Sequence, residues 1–169
     1  MPVDKATLER EITQSNKPGD PVVEHLQEEV SNAFVLHANY KHYHWQTFGP
    51  LFRDLHKLFD KFAGEVLATT DEIAERIRMI GQDPPVGLKG FQDRAKVQPT
   101  SGAKSMRQMV EEANANAMLV IKNMREAIHV ADEHNDPGTA DVLTKFVQIH
   151  ERHEWFLREI LKKGDGLAS

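Results

Sequence analysis

An all-α, antiparallel four-helix bundle is predicted for this chain, and three observations predict it. Apolar residues recur at three- and four-residue steps, Pro and Gly gather at a few intervals, and 169 residues are enough to bury one core. The breaks fall at Pro18-Gly19-Asp20-Pro21, Gly49-Pro50, 81–85, 99–102 and 135–138. Helices are expected between them, over roughly 21–47, 52–80, 103–134 and 138–163.

The first helix runs from Pro21 to the turn at 48–51 and carries His37, His42 and His44. In the second, Leu51, Leu55, Leu58, Phe59, Phe62 and Val66 repeat at a helical step that no strand can produce. A long crossover, 81–102, follows and has room for a short helix of its own. The third holds the longest apolar run, 117–121, which is too short to span a bilayer. The fourth repeats the apolar step with Val142, Leu143, Phe146, Ile149, Trp155 and Phe156. Short turns make the first and second helices, and the third and fourth, antiparallel neighbours. One domain is expected over 21–163, between a polar tail at 1–20 and a short tail at 164–169.

Composition excludes several classes. There is no cysteine, so disulfides and thiolate metal sites are ruled out, and a metal must be held by His, Asp and Glu. Acidic residues outnumber basic ones 26 to 21, a net charge of −5, which leaves the whole chain without an electrostatic footprint for nucleic acid. The first twenty residues carry Asp4, Glu9 and Glu11 and no apolar core, unlike a secretory signal, so the cytoplasm is the expected compartment and no membrane partner is expected.

The chemistry lies in the second helix. With His56 set at zero, about 100° per residue puts Asp60 near 40°, Asp71 near 60° and Glu75 near 100°, all on one stripe. Asp60 and Asp71 are nonetheless about 16 Å apart along the axis, too far to share a metal pair. Two copies of the helix packed antiparallel about a two-fold axis would set His56 and Asp60 of one against Asp71 and Glu75 of the other, twice over. The spacing points to an inter-subunit site, and imidazole with carboxylate suits iron, zinc or manganese. His-x-x-x-Asp or Asp-x-x-x-Glu alone would be an ordinary solvated helix face. The combination, with His44 closing the preceding helix, is far more specific.

His44-Trp45, His56 twelve positions on, Asp60 four further, Asp71 eleven further and Glu75 four further resemble the ferroxidase signature of the Dps mini-ferritins. The resemblance spans about residues 30–160 and includes Ala74-Glu75-Arg76-Ile77, Gly81, Pro84, Ala131-Asp132-Glu133 and Thr139-Ala140-Asp141. It implies a ferritin-like bundle and two irons per site. Asp71 and Glu75 of one subunit, with His44 of its partner, would hold the tighter iron; His56 and Asp60 would complete the weaker position. It further implies a dodecamer built from two-fold dimers, Fe(II) oxidised by hydrogen peroxide and also by oxygen, and Fe(III) mineral stored in a hollow shell. Zinc can compete for the same donors. In such subunits the turn before the last helix lines a three-fold pore, which makes Asp132, Asp136 and Asp141 candidates for iron access, with Asp136 and Asp141 the better two. An N-cap or helix-dipole role is the ordinary reading of such carboxylates, above all for Asp136.

Two other functions compete. An intra-bundle di-iron oxidase needs a Glu-x-x-His pair on each of two helices, and only Glu126-x-x-His129 is present, which reads as a surface pair. A nucleoid-binding structural protein that protects DNA is the second. Residues 1–20 hold Lys5, Arg10 and Lys17 against Asp4, Glu9, Glu11 and Asp20, and Asp165 partly offsets Lys162 and Lys163, so DNA binding is disfavoured. Trp45 and Trp155 read as packing residues, with radical quenching the minor alternative for Trp45. His37, His42, His150 and His153 read as solvated or core-satisfied, with an accessory metal site the minor alternative; His150 and His153 share a helix face.

Overall fold

In the computed structural model, which describes residues 19–162, every regular element is helical: α1 (Pro21–Gln46), α2 (Phe52–Met79), α3 (Gly87–Arg94), α4 (Met106–Glu133) and α5 (Pro137–Leu161). The all-α bundle and the short helix in the crossover are as expected. The tails lie outside the described residues except for Gly19 and Asp20. No helix among these residues is long and apolar enough to cross a membrane.

Local chemistry sets the ends. Asp20 caps α1 by accepting from the Val22 amide at 2.9 Å, ahead of Pro21 in the first turn, where a missing N–H costs nothing. α4 starts at 106 and not at 103, because Ser105 and Gln108 form a reciprocal capping box, each side chain accepting from the other's amide. α2 stops where Gly81 turns to φ 82°, so that the amide of Gln82 reaches back to the carbonyl of Ile77. Asn135, at φ 54°, closes α4 in the same way, with the Asp136 amide on the Ala131 carbonyl.

The crossover fixes the topology. It climbs along α1 from its start, where Arg94 meets Glu24, to its end, where Glu112 of α4 meets Tyr43. α4 then descends until Asn123 reaches Glu28, so α4 is parallel to α2 and antiparallel to α1 and α5. The climbing segment lacks a ladder for its own backbone, and two asparagines of α1 supply partners. Asn32 accepts from the amides of Lys96 and Val97; Asn39 accepts from Thr100 and donates to the Gln98 carbonyl. Phe91 of α3 stacks on Phe34 at 4.2 Å.

Between the four long helices lie Leu26, Leu36, Tyr40, Tyr43, Phe59, Phe62, Ile73, Met124, Leu143 and Phe146, all essentially inaccessible. Each such side chain contributes about 1.5–3 kcal/mol on burial. Leu55, Phe59, Phe62, Val66, Ile73 and Ile77 form the inner face of α2, which turns the opposite face, with the predicted ligands, outward.

Candidate metal centre

His44 lies in the last turn of α1 and His56 in the second turn of α2, brought level by the 47–51 turn, which Thr47 braces by donating to the His44 carbonyl. The two imidazoles lock each other. Nδ1 of His44 donates to the His56 carbonyl at 2.7 Å, Nδ1 of His56 donates to the His44 carbonyl at 2.9 Å, and the rings stack with centroids 3.7 Å apart. A carbonyl can only accept, so each Nδ1 carries a proton, and in the neutral imidazole the lone pair is then on Nε2. A ligand imidazole needs this state, and a hydrogen bond on the far nitrogen is the usual way of fixing it.

Asp60 lies on the exposed edge one turn beyond His56. Lys41 of α1 pairs with it at 2.7 Å, and that ammonium holds the Asp60 carboxyl below the usual range. Sequence reading missed Lys41. Its signal was its position, one turn before His44 on α1, but only the packing of α1 on α2 shows which carboxylate it meets. Asp71 and Glu75 are exposed and have no partner among the described residues. α2 runs unbroken through all four positions, so Asp60 and Asp71 stay about 16 Å apart along it. Among the described residues no three His, Asp or Glu side chains converge to hold a metal. The chain thus sets His44 against His56, with Asp60 one turn on, at one end of the stripe and leaves Asp71 and Glu75 at the other.

The acidic turn divides. Asp136 is the N-cap of α5, accepting from the Thr139 amide at 3.0 Å, and it also takes the Arg76 guanidinium at 2.6 Å. Arg76 reaches on to the Thr139 hydroxyl and lies against Gly138, where a Cβ would meet it at 2.9 Å. Asp136 is therefore committed to the fold, whereas Asp132 and Asp141 are exposed and unpaired among the described residues. Three other expectations change. His129 pairs with Glu133 at 3.2 Å, one turn on, and not with Glu126. Trp45 and Trp155 stay outside the subunit core, 65% and 51% exposed, because their helix faces turn away from the bundle axis. His150 is neither solvated nor satisfied, being buried with no partner for either ring nitrogen, while His153, stacked on Phe62, bonds Glu65 at 2.8 Å. His37, half-buried, has Nδ1 on the Ala63 carbonyl.

Comparison with known proteins agrees with this architecture. The ferritin-like domain family matches residues 23–167. The Dps structure from Thermosynechococcus elongatus superposes with a TM-score of 0.86 at 47% identity, covering 89% of this chain and 96% of that one. A DNA protection during starvation protein of Brevibacillus brevis is 31% identical over 81% of this chain and 92% of its own length. A low temperature-induced protein of Nostoc is also 31% identical, over 89% of this chain and 84% of its own length. With the helix order, the crossover and these matches together, the chain belongs to the Dps family of ferritin-like proteins.

Proposed function

We propose that the chain is a ferroxidase subunit that binds and oxidises Fe(II) at sites shared between two copies and stores the Fe(III) product inside a hollow shell. The observation that carries this reading is the reciprocal histidine lock, which presents two bare Nε2 atoms beside a carboxylate at one end of a helix whose other end holds two unpaired carboxylates. Setting 56 against 75 and 60 against 71 places the two-fold axis beside residues 65 and 66. On the same stripe there lie Gly64, with open space before it, and Leu67, 41% exposed: a small residue and an apolar one where two antiparallel helices would approach.

Each metal pair then has Asp71 and Glu75 from one subunit and His44, His56 and Asp60 from the other. The mixed imidazole and carboxylate donors suit Fe(II), and the carboxylates favour the Fe(III) product; zinc, which takes the same donors, competes. Two Fe(II) together supply the two electrons that convert one hydrogen peroxide and two protons to two waters, so no radical is released. Oxygen is the slower oxidant. Asp132 and Asp141 would draw Fe(II) towards the shell interior, with Asp136 holding the turn. The domain is taken as 21–163, in a cytoplasmic dodecamer built from two-fold dimers.

The names of the Brevibacillus and other relatives refer to DNA protection. Removing Fe(II) and peroxide together protects DNA without touching it, and a chain of net charge −5 favours that route over direct binding. The test is anaerobic Fe(II) loading of the purified protein followed by peroxide, with oxidation followed optically. With peroxide in excess, a burst of about two Fe(II) oxidised per subunit, and loss of the burst on zinc loading, are expected. Absence of saturable Fe(II) binding would sink the reading.

A further inference from the structure

α1 ends at Gln46, where the carbonyls of the last turn run out of amides to continue the ladder. For the His44 carbonyl the continuing amide would be that of Phe48, four residues on. Thr47 breaks the helix with extended backbone, φ −64° and ψ 142°, and the Phe48 amide turns to the sulfur of Met106, the first residue of α4, at 3.3 Å. Two side chains take the carbonyl so released: the Thr47 hydroxyl at 3.0 Å and Nδ1 of His56 at 2.9 Å. A carbonyl oxygen has two lone pairs, and these two donors use both.

The histidine lock therefore has one firm leg and one soft leg. The His56 carbonyl, which holds the His44 ring, lies inside the unbroken ladder of α2. The His44 carbonyl, which holds the His56 ring, lies at a helix end, where a peptide is free to tilt unless another group fixes it. Stacking at 3.7 Å sets the spacing of the two rings but leaves each free to turn in its own plane. Thr47 is buried, and a buried hydroxyl is costly unless it is bonded. Valine, with the same shape, would serve if position 47 had only to pack.

We propose that Thr47 is a positioning residue of the metal centre, which fixes the His56 ring through the His44 carbonyl and so sets the affinity of the metal position that His56 serves. The inference rests on the shared-site reading above, in which His56 and Asp60 complete the weaker position and His44 serves the tighter one. Thr47 bonds a carbonyl and no ligand nitrogen, so its effect is selective. Without the hydroxyl the His44 ring keeps its mid-helix acceptor, whereas the acceptor of the His56 ring is no longer held in place.

The experiment titrates full-length apoprotein with Co(II) without oxygen, following the two binding steps by calorimetry and by the visible absorption of the bound ion. Wild type should take up about two Co(II) per subunit, and His56→Ala identifies the weaker step by abolishing it. Thr47→Val should weaken that step by about three- to tenfold, less than the loss of a direct partner of a ligand, and leave the tighter step within about twofold of wild type. Thr47→Ser should restore the weaker step. If Thr47→Val folds poorly, Thr47→Ala set against Thr47→Ser makes the same comparison. Equal weakening of both steps, a lower melting point with both affinities unchanged, or failure of serine to restore the weaker step would each reduce Thr47 to a helix cap and overturn the proposal. Two steps in wild type and the same two in Thr47→Val would remove this role alone; a wild type that binds no Co(II) saturably would remove the shared site, and the role of Thr47 with it.

Discussion

His44 and His56 each use the other's carbonyl to hold a proton on Nδ1, which in the neutral imidazole leaves Nε2 open to a metal. A second histidine pair has the opposite design. Burial, with His153 nearby, pushes His150 down to about 3, and burial pushes His153 down to about 4 in spite of its bond with Glu65. Unfolded imidazoles take up protons near pH 6.5, so between roughly pH 6.5 and 4 the unfolded chain binds more protons than the folded one and stability falls with pH. The loss is up to about 1.4 kcal/mol per pH unit per histidine. Glu29, pushed well up by burial, slopes the other way above the carboxylate range, and that slope is common to wild type and a His150→Leu protein. The His150→Leu protein should therefore lose less thermal stability between pH 6.5 and 4.5, and differ little at neutral pH, since no partner is lost there. Parallel pH profiles for the two proteins would contradict this account. The stripe of proposed ligands on α2 was legible in the sequence because helical angles follow from spacing alone. The Lys41–Asp60 pair and the orphaned His150 were not, because each depends on which helix lies opposite.

Elements divide in the same way. Four long helices and their turns follow from period and from Pro and Gly, whereas the path of the crossover depends on Asn32 and Asn39, whose role no local pattern announces. The α4–α5 turn separates fold from chemistry most clearly. Asp136→Ala removes both an N-cap and the partner of Arg76, and should cost about 2 kcal/mol or more, read as a melting point lower by several degrees. Asp132→Asn with Asp141→Asn removes only exposed, unpaired charge and should change stability by less than about 0.5 kcal/mol. That double variant should instead slow iron uptake at low Fe(II) and low salt, with the difference shrinking as salt rises. Equal uptake under those conditions would remove these carboxylates from the access route, and an unaltered melting point in Asp136→Ala would refute the cap.

At the scale of the whole molecule, net charge and an incomplete site argue together. The chain carries −5 and should fail to shift duplex DNA at near-physiological salt; a robust shift that weakens steeply with added salt would reveal a basic patch and restore the structural DNA-binding reading. A site split along one helix is the central claim, and a complementation experiment tests it most directly. One variant loses both histidines (His44→Ala, His56→Ala) and another both distal carboxylates (Asp71→Ala, Glu75→Ala); each alone should be nearly inactive. In a mixed dimer the intact histidines of one subunit face the intact carboxylates of the other, which restores one of two sites. Random equimolar co-assembly, by co-expression or joint refolding, should return about a quarter of wild-type sites if sites act independently. Verified mixed assemblies as inactive as their parents, beside wild type that stays active after the same treatment, would contradict the shared site.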